Sequence, residues 1–276
     1  MKILGKSILA DTGGLRIIGL DIFAPEIALK VKAGQFVVLI PTVKGERIPL
    51  TVVNSDKQSG KISLIFQETG LTTRILGAME PGDVLYALAG PLGQPTRISN
   101  FGKVILVGGG VGIAEIYPVA CAMREAGNNL TVILGAKNKY FLMLASEIKA
   151  IAQDYYCLTD DGSSGEKGLT TDKLSALLSK DKYDLVYAVG PIPMMREAAR
   201  ITRDFSVNTV VSLNALMVDA TGMCGCCRVT VAGGVKFSCI DGPEFPANDI
   251  DWDELEKRNS MYLDKEKHIC KLKNVS

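Results

Sequence analysis

Four cysteines within sixteen residues, Cys224, Cys226, Cys227 and Cys239, constrain this 276-residue chain more than any other feature. Preceded by Asp219, three of them fall into the frame D-x4-C-x2-C-x11-C. Met1 to Lys6 lack the layout of a signal peptide, so a cytoplasmic chain with reduced thiols is expected. Seven cysteines, an odd number and tightly clustered, then point to a metal centre rather than to disulfides. Clusters of the 2Fe–2S type use C-x4-C-x2-C with a distant fourth cysteine, and here a carboxylate stands in the first slot. Gly222 and Gly225 let the backbone wrap closely and turn its N–H groups toward sulfur. The candidate ligands are therefore Asp219, Cys224, Cys227 and Cys239. Cys226 is the bystander, because neighbouring residues of an extended loop send their side chains to opposite sides.

A structural zinc site is the competing reading, with Asp219 or Cys226 as fourth ligand. The single histidine, His268, lies in the charged C-terminal segment. That leaves no Ser–His–Asp triad, Cys–His pair or His-rich zinc site in the body of the chain. Cys121, Cys157 and Cys270 read as core or surface thiols.

The rest of the chain divides in two. Residues 1–98 carry short apolar or alternating runs at Leu15–Leu20, Gln35–Ile40, Thr51–Val53, Lys61–Gln67 and Asp83–Leu88, separated by turn residues. Close spacing without a long helical pattern predicts a small antiparallel barrel. From residue 99 to 215 the pattern becomes strand–helix alternation. Strands are expected at Lys103–Val107, Leu130–Leu134, Tyr155–Leu158, Leu185–Val189 and Thr209–Leu213. Helices are expected at Ala114–Ala126, Leu142–Ala152, Thr171–Leu178 and Pro193–Phe205. That alternation predicts a parallel α/β sheet. Residues 216–276 hold the cysteine loop, a hairpin and a charged helix from Trp252 to Lys267. With 31 basic and 30 acidic residues, the chain lacks the footprint of a nucleic-acid binder. Its most apolar stretch, Val104–Ala122, is interrupted by glycines, Glu115 and Pro118, and is no membrane span.

Two further motifs suit dinucleotides. Arg47-Ile48-Pro49-Leu50-Thr51, with Gly70, Thr72 and Thr73 downstream, offers a guanidinium and hydroxyls for the pyrophosphate of a flavin. Gly108-Gly109-Gly110-Val111-Gly112 lies between strand and helix, where a phosphate can approach a helix N-terminus. It departs from G-x-G-x-x-G, and Leu134 to Lys137 lack the acidic residue that binds a ribose. Asp160, Asp161, Gly190 and Pro191 follow later strands, at the ends where such sheets bind ligands. Lys137 and Lys139 could meet a 2′-phosphate, but lysines near a strand end are more often solvated, so the sequence does not settle NAD against NADP.

Barrel, nucleotide domain and cysteine loop, in that order, resemble ferredoxin–NADP⁺ reductase-like proteins with a C-terminal 2Fe–2S module. The electron-transfer subunits of type B dihydroorotate dehydrogenase have this layout. Arg47–Thr51, Gly90–Gly93, Gly108–Gly112, Thr159–Gly162, Asp219–Cys227 and Phe237–Phe245 resemble more closely the small subunits of NADH-dependent reduced ferredoxin:NADP⁺ oxidoreductases. The resemblance implies FAD on the barrel, NAD(H) or NADP(H) on the second domain, and a cluster on Asp219, Cys224, Cys227 and Cys239. It also implies a larger partner subunit with a second FAD and 4Fe–4S clusters, and ferredoxin as a partner through that complex. The alternatives are a dihydroorotate dehydrogenase subunit and a zinc-stabilised nucleotide-binding adaptor.

Overall fold

The computed structural model describes residues 1–43 and 45–263. The first part of the chain forms β1 (Ile3–Asp11), β2 (Arg16–Phe23), α1 (Pro25–Lys30), β3 (Phe36–Ile40), β4 (Ile48–Asp56), β5 (Lys61–Gln67), α2 (Leu71–Ala78) and β6 (Ala87–Leu92). The strands form an antiparallel sheet in the order β1-β2-β5-β4-β3-β6. A bridge between Lys2 and Val84 closes it into the expected barrel, with Ile3 N–H donating to the Asp83 carbonyl at 2.9 Å. Inward residues such as Ile18, Leu20, Leu39, Ile62, Leu64 and Phe66 fill the barrel.

Sequence patterning missed β1, because only Ile3 and Ala10 of its nine residues are buried. It also missed α1 and α2, which are too short for a clear helical period and hold through packing of Ile27, Ala28 and Leu76. The run expected at Asp83–Leu88 is split between the Val84 bridge and β6.

The second part forms β7 (Lys103–Gly109), α3 (Ile113–Glu125), β8 (Asn129–Ala136), α4 (Ala145–Ile151), β9 (Asp154–Thr159), β10 (Glu166–Lys167), α5 (Thr170–Leu178), β11 (Leu185–Val189), α6 (Ile192–Asp204) and β12 (Thr209–Ser212). β13 (Arg228–Val231), β14 (Gly234–Phe237), β15 (Glu244–Pro246) and α7 (Trp252–Asn259) follow. The large sheet has the order β10-β9-β8-β7-β11-β12-β15 and is parallel except for β15, which pairs antiparallel with β12. Val104 to Val107 are all fully buried, as a strand covered on both faces requires.

The helix expected at Leu142–Ala152 begins only at Ala145, after a 3₁₀ turn at Lys139–Phe141 and Leu144 at φ 55°. The helix expected to run to Lys267 ends at Asn259, where a turn at 260–262 takes over, and His268 and Cys270 lie outside the described residues. Among the described residues no helix is long and apolar enough to cross a membrane.

Three features of this topology position the site. From β7 the chain moves outward through β8 and β9, then returns through α5 to place β11 on the other side of β7. The carboxyl ends of β7 and β11 thus mark the switch point of the sheet, where open α/β sheets bind ligands. The barrel packs over that point, with α3 touching β4. The β13–β14 hairpin turns through Ala232 and Gly233, both at positive φ, and carries Cys227 and Cys239 just outside its two strands.

Candidate dinucleotide cleft and cysteine loop

A cleft of about 890 Å³ opens at the switch point between barrel and sheet. Its barrel wall includes Pro49, Leu50 and Thr51 on β4 and Thr73 in the first turn of α2. The sheet side carries Gly109, Gly110, Val111 and Gly112 at the entry to α3, Asp160 after β9, and Gly190 and Pro191 after β11. Glycine is required where the β7 and β11 turns meet. A Cβ on Gly112 would stand 2.6 Å from the Val189 carbonyl oxygen, and one on Gly190 would stand 3.1 Å from Gly109 Cα. Gly110, at φ 55°, has open space where a Cβ would lie. The α3 N-terminus therefore presents bare backbone to the cleft, which suits a pyrophosphate. Apolar walls, a second helix start at α2 and this bare turn fit the two dinucleotides that the sequence implies.

Four expected cofactor residues, Arg47, Gly70, Thr72 and Asp161, do not line the cleft, and Thr73 lines it with its hydroxyl already engaged. Thr72 is buried, and Gly70 caps α2 without lining the cleft. Thr73 uses its hydroxyl on its own helix, accepting from the Thr69 and Gly70 N–H groups at 3.0 Å each. Asp161 is exposed and accepts from Ser163 N–H at 2.9 Å, and the Ser163 side chain, then this N–H, hold its carboxyl below the usual range. Arg47 forms an ion pair with Asp219, so the barrel motif and the cysteine loop touch. Lys137 lines the cleft, whereas Lys139 lies over the Tyr140 ring at 5.2 Å.

Sequence reasoning missed the polar group behind the cleft. Glu115, in the first turn of α3, lines the cleft and accepts from Thr51 Oγ1 at 3.3 Å. Tyr187 OH on β11 lies 3.1 Å from Glu115 Oε1 and 2.9 Å from Glu244 Oε1 on β15. Thr96 donates to the same Glu244 oxygen. Burial raises the Glu115 carboxyl above its ordinary value against the pull of its Ser212, Tyr187 and Thr51 hydrogen bonds. Burial also pushes Glu244 up from 4.5 to about 7, with the Glu115 charge adding to the rise. A glutamate in the first turn after a glycine-rich loop was the only available signal, and it reads equally well as a favourable charge at a helix start.

The shift at Glu244 has a testable sign. Below pH 4.5 both folded and unfolded chains hold the proton. As pH rises from 4.5 to about 7 the unfolded chain loses it first, so stability falls and then levels off. The expected loss is about 3 kcal/mol. Urea unfolding across that range measures it, and Glu244→Gln flattens the curve. An equally steep fall in the variant refutes the assignment.

In the cysteine loop, Cys227 and Cys239 are both buried, with their sulfurs 3.2 Å apart. The Cys239 N–H points at Cys227 Sγ at 3.4 Å. Cys224 is exposed, and the Cys226 backbone N–H holds its thiol below the usual range. Asp219 bonds Thr221 as well as Arg47, and the Thr221 contact is the main cause of its lowered carboxyl. Among the described residues no three His, Cys, Asp or Glu side chains are grouped to hold a single metal ion. The donor set itself, thiols with one carboxylate, fits iron–sulfur chemistry.

Three stretches match known sequence families. Residues 8–96 match an oxidoreductase FAD-binding domain, and residues 106–200 an oxidoreductase NAD-binding domain. Residues 214–251 match the iron-sulfur cluster binding domain of dihydroorotate dehydrogenase B. The chain is 48% identical over 246 residues to a Thermotoga maritima homologue of the dihydroorotate dehydrogenase B (NAD(+)) electron transfer subunit, covering 89% of this chain and 87% of that one. It is 32% identical over 226 residues to the dihydroorotate dehydrogenase B (NAD(+)) electron transfer subunit of Bacillus caldolyticus, covering 79% and 86%. A chain in the solved structure of NADH-dependent reduced ferredoxin-NADP oxidoreductase, studied for flavin-based electron bifurcation, superposes with a TM-score of 0.92. That pair is 43% identical over 100% of this chain and 98% of the other. FAD, a nicotinamide nucleotide and an iron–sulfur cluster are the cofactors of these three domains.

Proposed function

Because the chain belongs to the family of dihydroorotate dehydrogenase B electron-transfer subunits and their homologues, we propose that it takes electron pairs from a nicotinamide nucleotide and passes them on singly through a 2Fe–2S cluster. In this reading it is the small subunit of a ferredoxin:NADP⁺ oxidoreductase of the electron-bifurcating kind. It works in the cytoplasm beside a larger subunit carrying FAD and 4Fe–4S clusters, with ferredoxin reached through that complex. The observation that carries the reading is the Arg47–Asp219 contact. The segment assigned to FAD and the loop assigned to the cluster are neighbours, as an electron path between them requires.

FAD, when bound, supplies the conversion of a two-electron donor into single electrons. The chain's own residues bind and orient. Pro49, Leu50 and Thr51 form an apolar wall closed by a hydroxyl, and Arg47 and the α2 start at Gly70, Thr72 and Thr73 offer donors to a pyrophosphate. Gly109 to Gly112 offer the α3 N-terminus to the nicotinamide dinucleotide, with Asp160, Asp161, Gly190 and Pro191 around it. Asp219, Cys224, Cys227 and Cys239 would hold the cluster once Asp219 turns away from Arg47.

The 48% identity to the Thermotoga maritima homologue favours a second acceptor, the catalytic subunit of a dihydroorotate dehydrogenase. Aspartate rather than cysteine in the first ligand slot speaks for the oxidoreductase complex, and co-purification of the native assembly decides between them. The purified protein is expected to show flavin and iron–sulfur absorption that NADH bleaches. A colourless protein with stoichiometric zinc refutes the proposal and supports the adaptor. Arg47→Ala is expected to weaken flavin retention by roughly 10- to 100-fold, the worth of one charge-assisted contact. Full flavin occupancy in this variant after extensive dialysis removes Arg47 from the site.

A further inference from the structure

Tyr187 has one hydroxyl proton and two carboxyl neighbours, Glu115 Oε1 at 3.1 Å and Glu244 Oε1 at 2.9 Å. It can donate to only one of them. The other contact is a hydrogen bond only if that carboxyl carries a proton and donates it to the phenol oxygen. With both contacts as hydrogen bonds, the three side chains share one proton more than two free carboxylates would hold, in either of two placements. In one, Glu115 donates to Tyr187 and Tyr187 donates to Glu244. In the other, both hydrogen bonds point the opposite way. Moving between them takes a proton from Glu115 Oε1 to the phenol oxygen while the phenol proton passes to Glu244 Oε1. Charge and protons balance, and the net result is one proton carried from Glu115 to Glu244.

The two ends of this row face different spaces. Glu115 lines the dinucleotide cleft. Glu244 and Tyr187 line a second cavity of about 500 Å³ on the other side. Arg97, Asp184 and Asp249 also border that cavity and are the charged groups facing the outer end. Thr51 and Ser212 hold the inner carboxyl, and Thr96 holds the outer one. Gly34 at φ 80° packs closely against the outer carboxyl, since a Cβ there would stand 2.6 Å from Glu244 Oε1. Tyr187 borders that second cavity yet is 1% exposed, so the middle of the row is nearly closed to bulk solvent.

We propose that Glu115, Tyr187 and Glu244 form a proton route between the dinucleotide cleft and the outer cavity. The proposal rests on the reading that a hydride donor and FAD meet in the cleft. A hydride brings two electrons together with a proton. When those electrons leave singly toward an iron–sulfur cluster, the proton stays behind and must leave by another way. The row supplies that way: Glu115 receives the proton at the cleft, and Glu244 releases it to water in the outer cavity. A purely structural role would need only the hydrogen bonds, which neutral glutamine could also make.

The test uses the flavin- and cluster-loaded protein and its Glu115→Gln, Glu244→Gln and Tyr187→Phe variants. Infrared spectra in H₂O and D₂O at neutral pH read the shared proton as a buried carboxylic-acid carbonyl band. The wild type is expected to show it, and each glutamine variant to lose it. Stopped-flow reoxidation of the bound flavin by a one-electron acceptor reads transport. Glu244→Gln, whose side chain does not line the cleft, is expected to slow this step by roughly 10²-fold. It should also change the pH profile and solvent deuterium effect of the step. Tyr187→Phe, which keeps the ring volume, should do the same and covers the case of a glutamine variant that fails to fold. Loss of the band with unchanged kinetics and isotope effect overturns the transport role. Persistence of the band in both glutamine variants overturns the shared proton. A wild-type protein that binds no flavin overturns the parent reading as well, and its visible spectrum separates that failure from the other two.

Discussion

Cys227→Ser and Cys239→Ser are each expected to yield a flavoprotein stripped of its iron–sulfur cluster. These two thiols are the buried end of the cysteine loop, 3.2 Å apart and each 2% exposed. Burial, and next the neighbouring Cys227 thiol, push Cys239 up to about 12. As thiolates the two would need a positive charge between them, and in the proposed reading the cluster iron supplies it. Serine keeps the size but gives no thiolate, so the loss is expected to be nearly complete. Cys226→Ala is the control. The Cys226 carbonyl accepts from Arg258 Nη2 at 3.2 Å, and the residue lies outside the D-x4-C-x2-C-x11-C frame. Asp219→Ala is expected to lose or destabilise the cluster too, while freeing Arg47. Iron and acid-labile sulfide per flavin, with the paramagnetic resonance signal of the reduced protein, measure all four variants. Unchanged iron in Cys239→Ser would sink the ligand assignment. Lost iron in Cys226→Ala with full iron in Asp219→Ala would exchange the roles of those two residues.

Local chemistry made part of this molecule legible in the sequence, and long-range packing kept the rest out of reach. β5 and β11 have the bounds that their apolar runs gave, because a half-buried barrel strand alternates and a doubly covered parallel strand is apolar throughout. β1 escaped because it turns mostly polar or exposed residues outward and gains its place by pairing with β2. The glycine turn at Gly109–Gly112 was readable as a tight strand-to-helix junction, and whether it serves packing or a phosphate was left open by its sequence, which departs from G-x-G-x-x-G. Glu115, Tyr187 and Glu244 were not readable as a unit: they lie on α3, β11 and β15, and the one local signal, Glu115 in the first turn of α3, reads equally well as a favourable helix-start charge. The Arg47–Asp219 pair spans 172 positions. Each residue carried a separate expectation, Arg47 toward a pyrophosphate and Asp219 toward iron, and their meeting follows only from the barrel packing beside the cysteine loop.

Gly112→Ala is expected to cost both stability and nucleotide binding through the addition of one methyl group. The backbone conformation is not the obstacle, since Gly112 has φ −59° and ψ −19°, ordinary helical values for any residue. The obstacle is space. The new Cβ would stand 2.6 Å from the Val189 carbonyl oxygen, 2.8 Å from its carbon and 3.0 Å from Gly190 N. All three are backbone atoms at the end of β11, where the strand is paired with β7 and β12 and cannot yield by rotating a side chain. Relief requires the α3 start to lift away from β11, at a cost of about 1–3 kcal/mol or more. That movement also displaces the bare N–H groups of Gly110 and Val111 from the cleft and draws Glu115 away from Tyr187. Gly110→Ala is the contrast: its Cβ would meet no atom within 4 Å, so its penalty comes from φ 55° alone. Urea midpoints rank the two variants, and a titration with NADH or NADPH followed by flavin bleaching reads the cleft. Gly112→Ala with wild-type stability and nucleotide affinity would mean that the two turns do not need their close approach, and the α3 N-terminus would lose its place as the dinucleotide seat.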